Sequence, residues 1–155
     1  MKVSIGCDHR GYEAKEFIKG LLQRLGHEVV DCGAFESKSC DYPDYALPVA
    51  VAVAKKEADF GILICGSGIG MSITANKVRG VRAALCHDEF TAQISRKHND
   101  ANILCLPAML INDLLIARIV ETWVATEFEK GRHERRVEKM MEVEKINMEL
   151  PTETK

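Results

Sequence analysis

Residues 62–77 read "ILICGSGIGMSITANK", an apolar run, a glycine-rich loop and an amphipathic run in direct succession. Residues 59–66 form the most apolar of the predicted strands, and a short apolar run of this kind is typical of a buried strand. The residues after the loop predict a helix that ends near Lys77. Cys65 stands between the two. The stretch therefore predicts a strand–loop–helix unit with a cysteine at the carboxyl end of its strand.

Strand-like and helix-like segments alternate along the rest of the chain. The predicted strands are 2–7, 27–33, 59–66, 81–86 and 102–107. Besides the helix that ends near Lys77, the predicted helices are 12–26, 43–56, 88–98, 112–128 and 134–147. Alternation with continuous apolar strands predicts a parallel sheet covered on both faces. We expect an α/β fold, a three-layer Rossmann-like domain with a five-stranded parallel sheet, helices on both faces and a C-terminal helix extension. This single domain is expected to span 1–150, with a frayed tail at 151–155.

Composition excludes several classes of protein. The chain has 155 residues and a net charge of −2, so no general attraction to nucleic acid follows. The longest apolar run, "ALPVAVAVA", is too short to span a bilayer. The N-terminal residues enter a predicted strand at once, which leaves no room for a signal peptide. Six cysteines occur without C-x-x-C spacing, which disfavours zinc and thioredoxin-type sites. We expect a cytoplasmic protein with reduced thiols that binds neither nucleic acid nor membranes.

The glycine loop has more than one interpretation. Gly66, Gly68 and Gly70 could serve only a tight turn, with Cys65 as a structural residue. The loop lacks the G-x-G-x-x-G pattern of a dinucleotide site and the lysine of a Walker A loop. Unpaired N–H groups at a helix start favour negative charge, and the same position favours the thiolate form of a cysteine. A base beside an anion cradle suits proton abstraction next to a carbonyl.

Polar residues flank two other strands. Asp8 and His9 follow the first strand, and His98, Asn99 and Asp100 precede the fifth. Asp8 could cap the next helix, and the group before the fifth strand could be ordinary turn residues. Histidine titrates near neutral pH, which suits His98 to proton transfer on a sugar oxygen.

A basic cluster occupies the start of the last predicted helix. Its members are Arg132, His133, Arg135, Arg136 and Lys139. Cations are unfavourable at that end of a helix dipole, which indicates a functional reason for them. Arg132 and Arg136 are four residues apart on one face and could grip a phosphate together. A solvated basic face, offset by neighbouring glutamates, is the alternative.

With these residues assembled, the chain resembles the type B ribose-5-phosphate isomerases and their sugar-phosphate isomerase relatives. The resemblance covers nearly the whole length, with the motifs in the family's order. It rests on "IGCDHRGYEAK", "DYPDYA", "GILICGSGIGMSITANKVRGVRAAL", "SRKHNDANIL" and "GRHERRVEKM". It implies an isomerase of the pentose phosphate pathway that interconverts ribose 5-phosphate and ribulose 5-phosphate through a cis-enediol, without metal or cofactor. It also implies a homodimer or a dimer of dimers with sites shared between subunits.

The resemblance implies a role for each matching residue. Cys65 matches the proton-abstracting cysteine, and Ser67 with His98 would assist opening of the furanose ring. The anion hole corresponds to Gly66, Gly68, Ile69 and Gly70. Further substrate contacts are implied for Asp8, His9, Tyr42 (a pocket wall), Asn99 and the phosphate-binding pair Arg132 and Arg136.

One position departs from the family's pattern. After the fifth strand the family usually carries an arginine that reaches the substrate, and this chain has Met109 instead. We therefore expect a missing cation contact, and a lower KM for ribose 5-phosphate in Met109→Arg. Two other functions remain open, an isomerase for a hexose 6-phosphate such as allose or galactose 6-phosphate, and a non-catalytic sugar-phosphate binding module. Retention of Cys65, Ser67 and His98 argues against the last, because binding alone does not need them.

Overall fold

The computed structural model describes residues 1–149, so the tail expected to be frayed at 151–155 lies outside the described residues. Five strands and six helices alternate in the predicted order within this range. The strands are β1 (Lys2–Cys7), β2 (Glu28–Asp31), β3 (Phe60–Cys65), β4 (Ala83–Leu85) and β5 (Ile103–Pro107). The helices are α1 (Tyr12–Arg24), α2 (Pro43–Ala54), α3 (Ile69–Ala75), α4 (Glu89–Asn99), α5 (Asp113–Ala125) and α6 (Arg132–Glu149).

The strands form one sheet in the order β2-β1-β3-β5-β4, and every neighbouring pair is parallel. The predicted five-stranded parallel sheet is confirmed. After β2 the chain crosses to the other side of β1, so strand order reverses between β1 and β3. Ligands of open α/β sheets bind outside the carboxyl ends of the strands at such a reversal.

Helices cover both faces of the sheet, as the continuous apolar strands predict. Buried side chains of α1, α4 and α5 pack on one face around Trp123, which is fully buried. Buried side chains of α2 and α3 pack on the other face. The residues of β3 and β5 alternate between the two clusters, for example Ile62 and Leu63. Both faces of the central strands are therefore dry.

Boundaries differ from the predicted ones where polar groups end an element. Asn112 caps α5 as the pattern suggests, because its Oδ1 accepts the N–H of Leu115 at 2.9 Å. Asp88, predicted as the first residue of a helix, is instead the N-cap of α4 and accepts the N–H of Thr91 at 2.7 Å. The predicted helix 112–128 stops at Ala125, since Thr126 turns to an extended backbone. The segment beyond it then reaches α4, where Glu129 N–H donates to Lys97 O at 3.0 Å.

Helix α6 is the predicted C-terminal extension, and among the helices it packs against α4. It begins at Arg132, two residues before the predicted start at 134. Glu144 ties it to the loop before β4 by accepting the N–H of Gly80 at 2.9 Å. None of the helices described is both long and apolar enough to cross a bilayer.

Candidate active site

The carboxyl ends of β1, β3 and β5 lie side by side and carry the first group of candidate residues. The register pairs Cys7 with Ile64 and Cys65 with Pro107, so the residues after each strand are neighbours. The loop after β5 is bonded to the glycine loop, because Ala108 N–H donates to Cys65 O at 2.9 Å and Met109 N–H to Gly66 O at 3.0 Å. Three separate parts of the chain therefore meet at one edge of the sheet.

A cavity of about 360 Å³ opens at this edge, and we call it the cysteine pocket. It is lined by Asp8, Arg10, Tyr42, Cys65, Gly66, Ser67, Gly70, Met109 and Leu110. Its volume is within the range of small-molecule sites. Gly68 and Ile69 of the expected anion hole are the N-cap and the first residue of α3, and neither belongs to this lining.

Cys65 is 4% exposed and is held by the glycine loop. Its Sγ accepts the N–H of Gly68 at 3.1 Å, an N–H that is thereby taken from any other acceptor. Gly68 has φ of +73°, which disfavours any residue with a side chain. A β-carbon there would also collide with Leu85 and lie 3.1 Å from the carbonyl carbon of Leu106. A glycine at 68 is therefore required for this N–H to reach the sulfur.

Asp8 and His9 shape the turn after β1. Asp8 is buried, and its Oδ1 accepts the N–H groups of Arg10 at 2.9 Å and Gly11 at 3.1 Å. The carboxylate thus closes the turn before α1 while it lines the pocket. His9 is half-buried, with Nδ1 3.3 Å from both the backbone N and O of Cys40, so it anchors the loop that leads to Tyr42. His9 does not line the cysteine pocket.

A second cavity of about 250 Å³, the histidine pocket, contains the other candidate residues. Its lining is His98, Asn99, His133, Arg136, Val137 and Met140. The rings of His98 and His133 are stacked, with centroids 4.0 Å apart and planes 6° from parallel. Arg132 is adjacent, and its Nε donates to Nε2 of His133 at 3.3 Å.

The surroundings of His133 favour the neutral form of its ring. Burial lowers the pKa of its imidazole, and the neighbouring His98 and the Arg132 guanidinium lower it further. A neutral ring keeps a lone pair on Nε2, which is what the Arg132 contact requires. His133 therefore fixes one of the two predicted phosphate-binding arginines.

The end of α4 that carries His98 and Asn99 is held by charges. Asp100, with φ of 45°, ends the helix in the left-handed region. Its two oxygens accept from Arg82 Nη2 and Arg96 Nη1, each at 2.9 Å. Arg96 is buried, and Nη1 also donates to Ala101 O at 2.6 Å. The network holds the last turn of α4 in position.

One cluster in the described residues has ligand types that suit a metal. The ligand atoms of His98, Glu129 and His133 lie within 4.8 Å of one another. The two imidazole rings are parallel, however, so their in-plane lone pairs do not converge on one ion. The arrangement favours stacking over chelation.

The structure therefore divides the predicted site into two parts. Cys65, Ser67, Asp8 and Tyr42 share the cysteine pocket, whereas His98, Asn99 and Arg136 share the histidine pocket. Within residues 1–149 of one chain, the two sets line separate cavities.

Sequence analysis did not assign two of the residues that the structure places in these pockets. Arg10 lines the cysteine pocket, and its position directly after Asp8 and His9 was the available signal. His133 was noticed only as part of the basic cluster, and its stacking on His98 depends on how α6 packs against α4. No local pattern shows that packing.

Known proteins resemble this chain over nearly its whole length. Residues 3–140 match the family described as Ribose/Galactose Isomerase. Ribose-5-phosphate isomerase B of Escherichia coli is 46% identical over 143 residues, covering 92% of this chain and 96% of that protein. The solved structure of ribose-5-phosphate isomerase B from Clostridium thermocellum has a TM-score of 0.94 at 50% identity, covering 95% of this chain and 99% of that one. The enzyme of Mycoplasma genitalium, solved with bound ribulose 5-phosphate, has a TM-score of 0.89 at 42% identity, covering 93% and 96%.

Proposed function

The chain belongs to the ribose/galactose isomerase family and is an isomerase, and from this membership we propose that it interconverts ribose 5-phosphate and ribulose 5-phosphate. The observation that carries the proposal is the cysteine pocket. It combines a nearly buried thiol, a carboxylate and a hydroxyl in one small cavity at the strand-order reversal. The substrate is inferred from the relatives, ribose-5-phosphate isomerase B of Escherichia coli and the Mycoplasma genitalium enzyme with bound ribulose 5-phosphate.

Cys65 acts as the base in the proposed reaction. Its thiolate removes the proton from C2 of the open-chain aldose, and the electrons shift to give a cis-enediolate. Return of a proton to C1, with transfer of the hydroxyl proton from O2 to O1, yields the ketose. The Gly68 N–H at 3.1 Å supports this role because a hydrogen-bond donor stabilises negative charge on sulfur.

The remaining N–H groups of the glycine loop hold the enediolate oxygens. Gly66 and Gly70 line the pocket, whereas the Ile69 N–H donates a long hydrogen bond of 3.4 Å to Ser67 Oγ. Donors placed in advance where charge develops lower the barrier of such reactions. Ser67 and His98 assist opening of the furanose ring. In this step the hydroxyl on C1 loses its proton, the bond from C1 to the ring oxygen breaks, and the ring oxygen gains a proton.

We further propose that the site is completed by a second copy of the chain. His98, Asn99, Arg132 and Arg136 lie away from the cysteine pocket of their own chain, as a site shared between subunits requires. Apolar side chains are exposed on α3 and α6, among them Ile73, Val143 and Ile146. Burial of such residues between subunits is favourable.

An assay over a panel of aldose phosphates tests the substrate. We expect the highest kcat/KM with ribose 5-phosphate, and weak turnover of allose 6-phosphate and galactose 6-phosphate. A hexose isomerase is the second candidate, favoured by Met109, which stands where the family resemblance leads us to expect an arginine. A higher kcat/KM with either hexose phosphate would replace the pentose assignment, and turnover of none would favour a binding module.

Replacement of the proposed base is the sharpest test of mechanism. Cys65→Ala should lower kcat about 10²–10⁴-fold, the span for a positioned base, and leave binding of inorganic phosphate nearly unchanged. Cys86→Ala is a matched control, since Cys86 is also a buried free thiol but lies outside the pocket. Near wild-type turnover of Cys65→Ala would remove Cys65 from the mechanism.

A further inference from the structure

Arg10 is the cation of the cysteine pocket. Among the lining residues, all within the described 1–149, Arg10 alone is a lysine, arginine or histidine. The turn after β1 sets its direction, because Asp8 accepts the backbone N–H of Arg10 at 2.9 Å. A buried carboxylate therefore positions the backbone from which this guanidinium extends.

The Arg10 side chain lies over the glycine loop and against Met109. Its Nη1 donates to Met109 Sδ at 3.2 Å, and its Cδ is 3.0 Å from the point where a β-carbon on Gly66 would lie. A thioether is a weak acceptor without charge. In the part of the chain that the structure describes, Arg10 forms no ion pair. Its positive charge is not neutralised by a carboxylate there.

A positively charged side chain would offset the negative charge in the occupied pocket. A sugar phosphate carries about two negative charges at neutral pH, and the pocket already contains the Asp8 carboxylate. The α6 arginines of the same chain do not line this cavity, so in the proposed shared site Arg10 acts beside those of the second copy. A guanidinium is the side chain best suited to bind a phosphate through paired N–H donors.

We propose that Arg10 binds the phosphate group of the substrate, a role that rests on the proposed function. It replaces the cation expected at position 109, so the guanidinium is contributed by the loop after β1 and not by the loop after β5. Met109 fits this arrangement because its uncharged side chain packs beside the guanidinium.

Arg10 also changes what Met109→Arg should do. The sequence alone predicts tighter binding from that substitution. With Arg10 3.2 Å from the Met109 sulfur, an arginine at 109 would place two like charges side by side. We therefore expect Met109→Arg alone to leave KM unchanged or to raise it.

The first test removes the charge and keeps much of the shape. In Arg10→Gln we expect the KM for ribose 5-phosphate and the inhibition constant of inorganic phosphate both to rise about 10- to 100-fold. The value of kcat should change much less, because the phosphate contact is made in ground state and transition state alike. Arg24→Gln is the control, since Arg24 is an exposed arginine at the far end of α1.

The second test moves the guanidinium to the other loop. Met109→Arg in the Arg10→Gln background should recover most of the lost affinity for inorganic phosphate and ribose 5-phosphate. The affinity should recover in the double variant, whereas Met109→Arg alone should not increase the affinity of the wild type. Only a guanidinium that can act from either position produces this pair of results.

The outcomes separate this proposal from the proposed function. Direct titration with inorganic phosphate needs no turnover, so it reports on Arg10 even if ribose 5-phosphate is not the substrate. Unchanged phosphate affinity in Arg10→Gln overturns the proposal, as does a fall in kcat at constant KM, which would assign Arg10 to the reacting carbons. A wild-type protein that binds phosphate through Arg10 but turns over no ribose 5-phosphate overturns only the function.

Discussion

At the scale of single residues, the wall of the cysteine pocket depends on a missing side chain. A β-carbon on Gly70 would lie 2.6–2.9 Å from three ring carbons of Tyr42. The ring belongs to the first turn region of α2 and is partly exposed, so it has room to move outward. Tyr42 therefore lines the pocket only because Gly70 lets it approach.

Gly70→Ala should displace the Tyr42 ring without unfolding the protein. We expect KM to rise about fivefold, the effect of losing roughly 40 Å² of apolar contact with the substrate. Steady-state kinetics and thermal melting measure the two consequences separately. Gly20→Ala is the matched control, because a β-carbon there has an ordinary neighbour at 3.4 Å and should only stabilise α1. An unchanged KM in Gly70→Ala would show that Tyr42 makes no substrate contact.

At the scale of elements, charges join α1 to the edge strand β2. Lys15 is fully buried, and its Nζ lies 2.6 Å from Asp31 Oδ2. Lys19 Nζ contacts the same oxygen at 2.6 Å. Burial alone would raise the pKa of the Asp31 carboxyl, but the hydrogen bonds from both lysines outweigh it and hold that pKa below its usual value. The carboxylate thus stabilises the fold in its charged form.

Asp31→Asn should destabilise the protein in a pH-dependent way. At pH 7 we expect a loss of about 1.5–3 kcal/mol in the free energy of unfolding, the range for hydrogen bonds to charged groups. A lowered folded-state pKa means that the stabilisation is complete above the ordinary pKa of 3.8 and is lost as pH falls through the folded-state value. The difference between wild type and variant should therefore shrink in acid.

Urea denaturation at pH 7 and near pH 3 measures this prediction. Glu28→Gln is the control on the same strand, since Glu28 makes an exposed contact with Lys2 at 3.7 Å that contributes little. A difference that stays constant from neutral to acid pH would contradict the charged role of Asp31.

At the scale of the whole molecule, the separation of the two pockets bears on whether two chains form the active site together. Cys65 is supplied by the sheet, and Arg136 by a helix that packs beside α4. A groove of about 420 Å³ also separates α6 from β4 and includes Met140 and Val143 in its lining. The proposed shared site requires a second copy to bring its histidine pocket to each cysteine pocket.

Mixing two inactive variants tests whether sites are shared. In a twofold dimer of Cys65→Ala with Arg136→Ala, one site carries both defects and the other carries none. Equal mixing with free exchange gives half heterodimers, so we expect about one quarter of the wild-type activity. Dilution into the assay after co-refolding or co-expression measures this recovery.

The control is each variant treated alone in the same way. If Cys65 and Arg136 act within one chain, the mixture will show only the mean of the two residual activities. That result, or a monomer by sedimentation at assay concentrations, would remove the shared site from the proposed function.

Much of the fold was predictable because its signals are local. Apolar strands, caps such as Asn112 and the glycine loop act over a few residues, and the rule for parallel sheets converts their order into an architecture. The grouping of Asp8 with Cys65 was also predictable, since strand ends in a parallel sheet share one edge. The early end of α5 was missed because Thr126 leaves the helix where the chain meets α4, a distant contact.

The sequence by itself determined the α/β class, the order of the elements and the position of Cys65 at a strand end. Those features follow from periodicity and chain connectivity. Only the tertiary structure decided that His98 and Arg136 line a different cavity from Cys65, and that Arg10 lies against Met109. These contacts join residues from separate loops and helices, and side-chain packing in three dimensions sets their distances. No spacing along the chain encodes them.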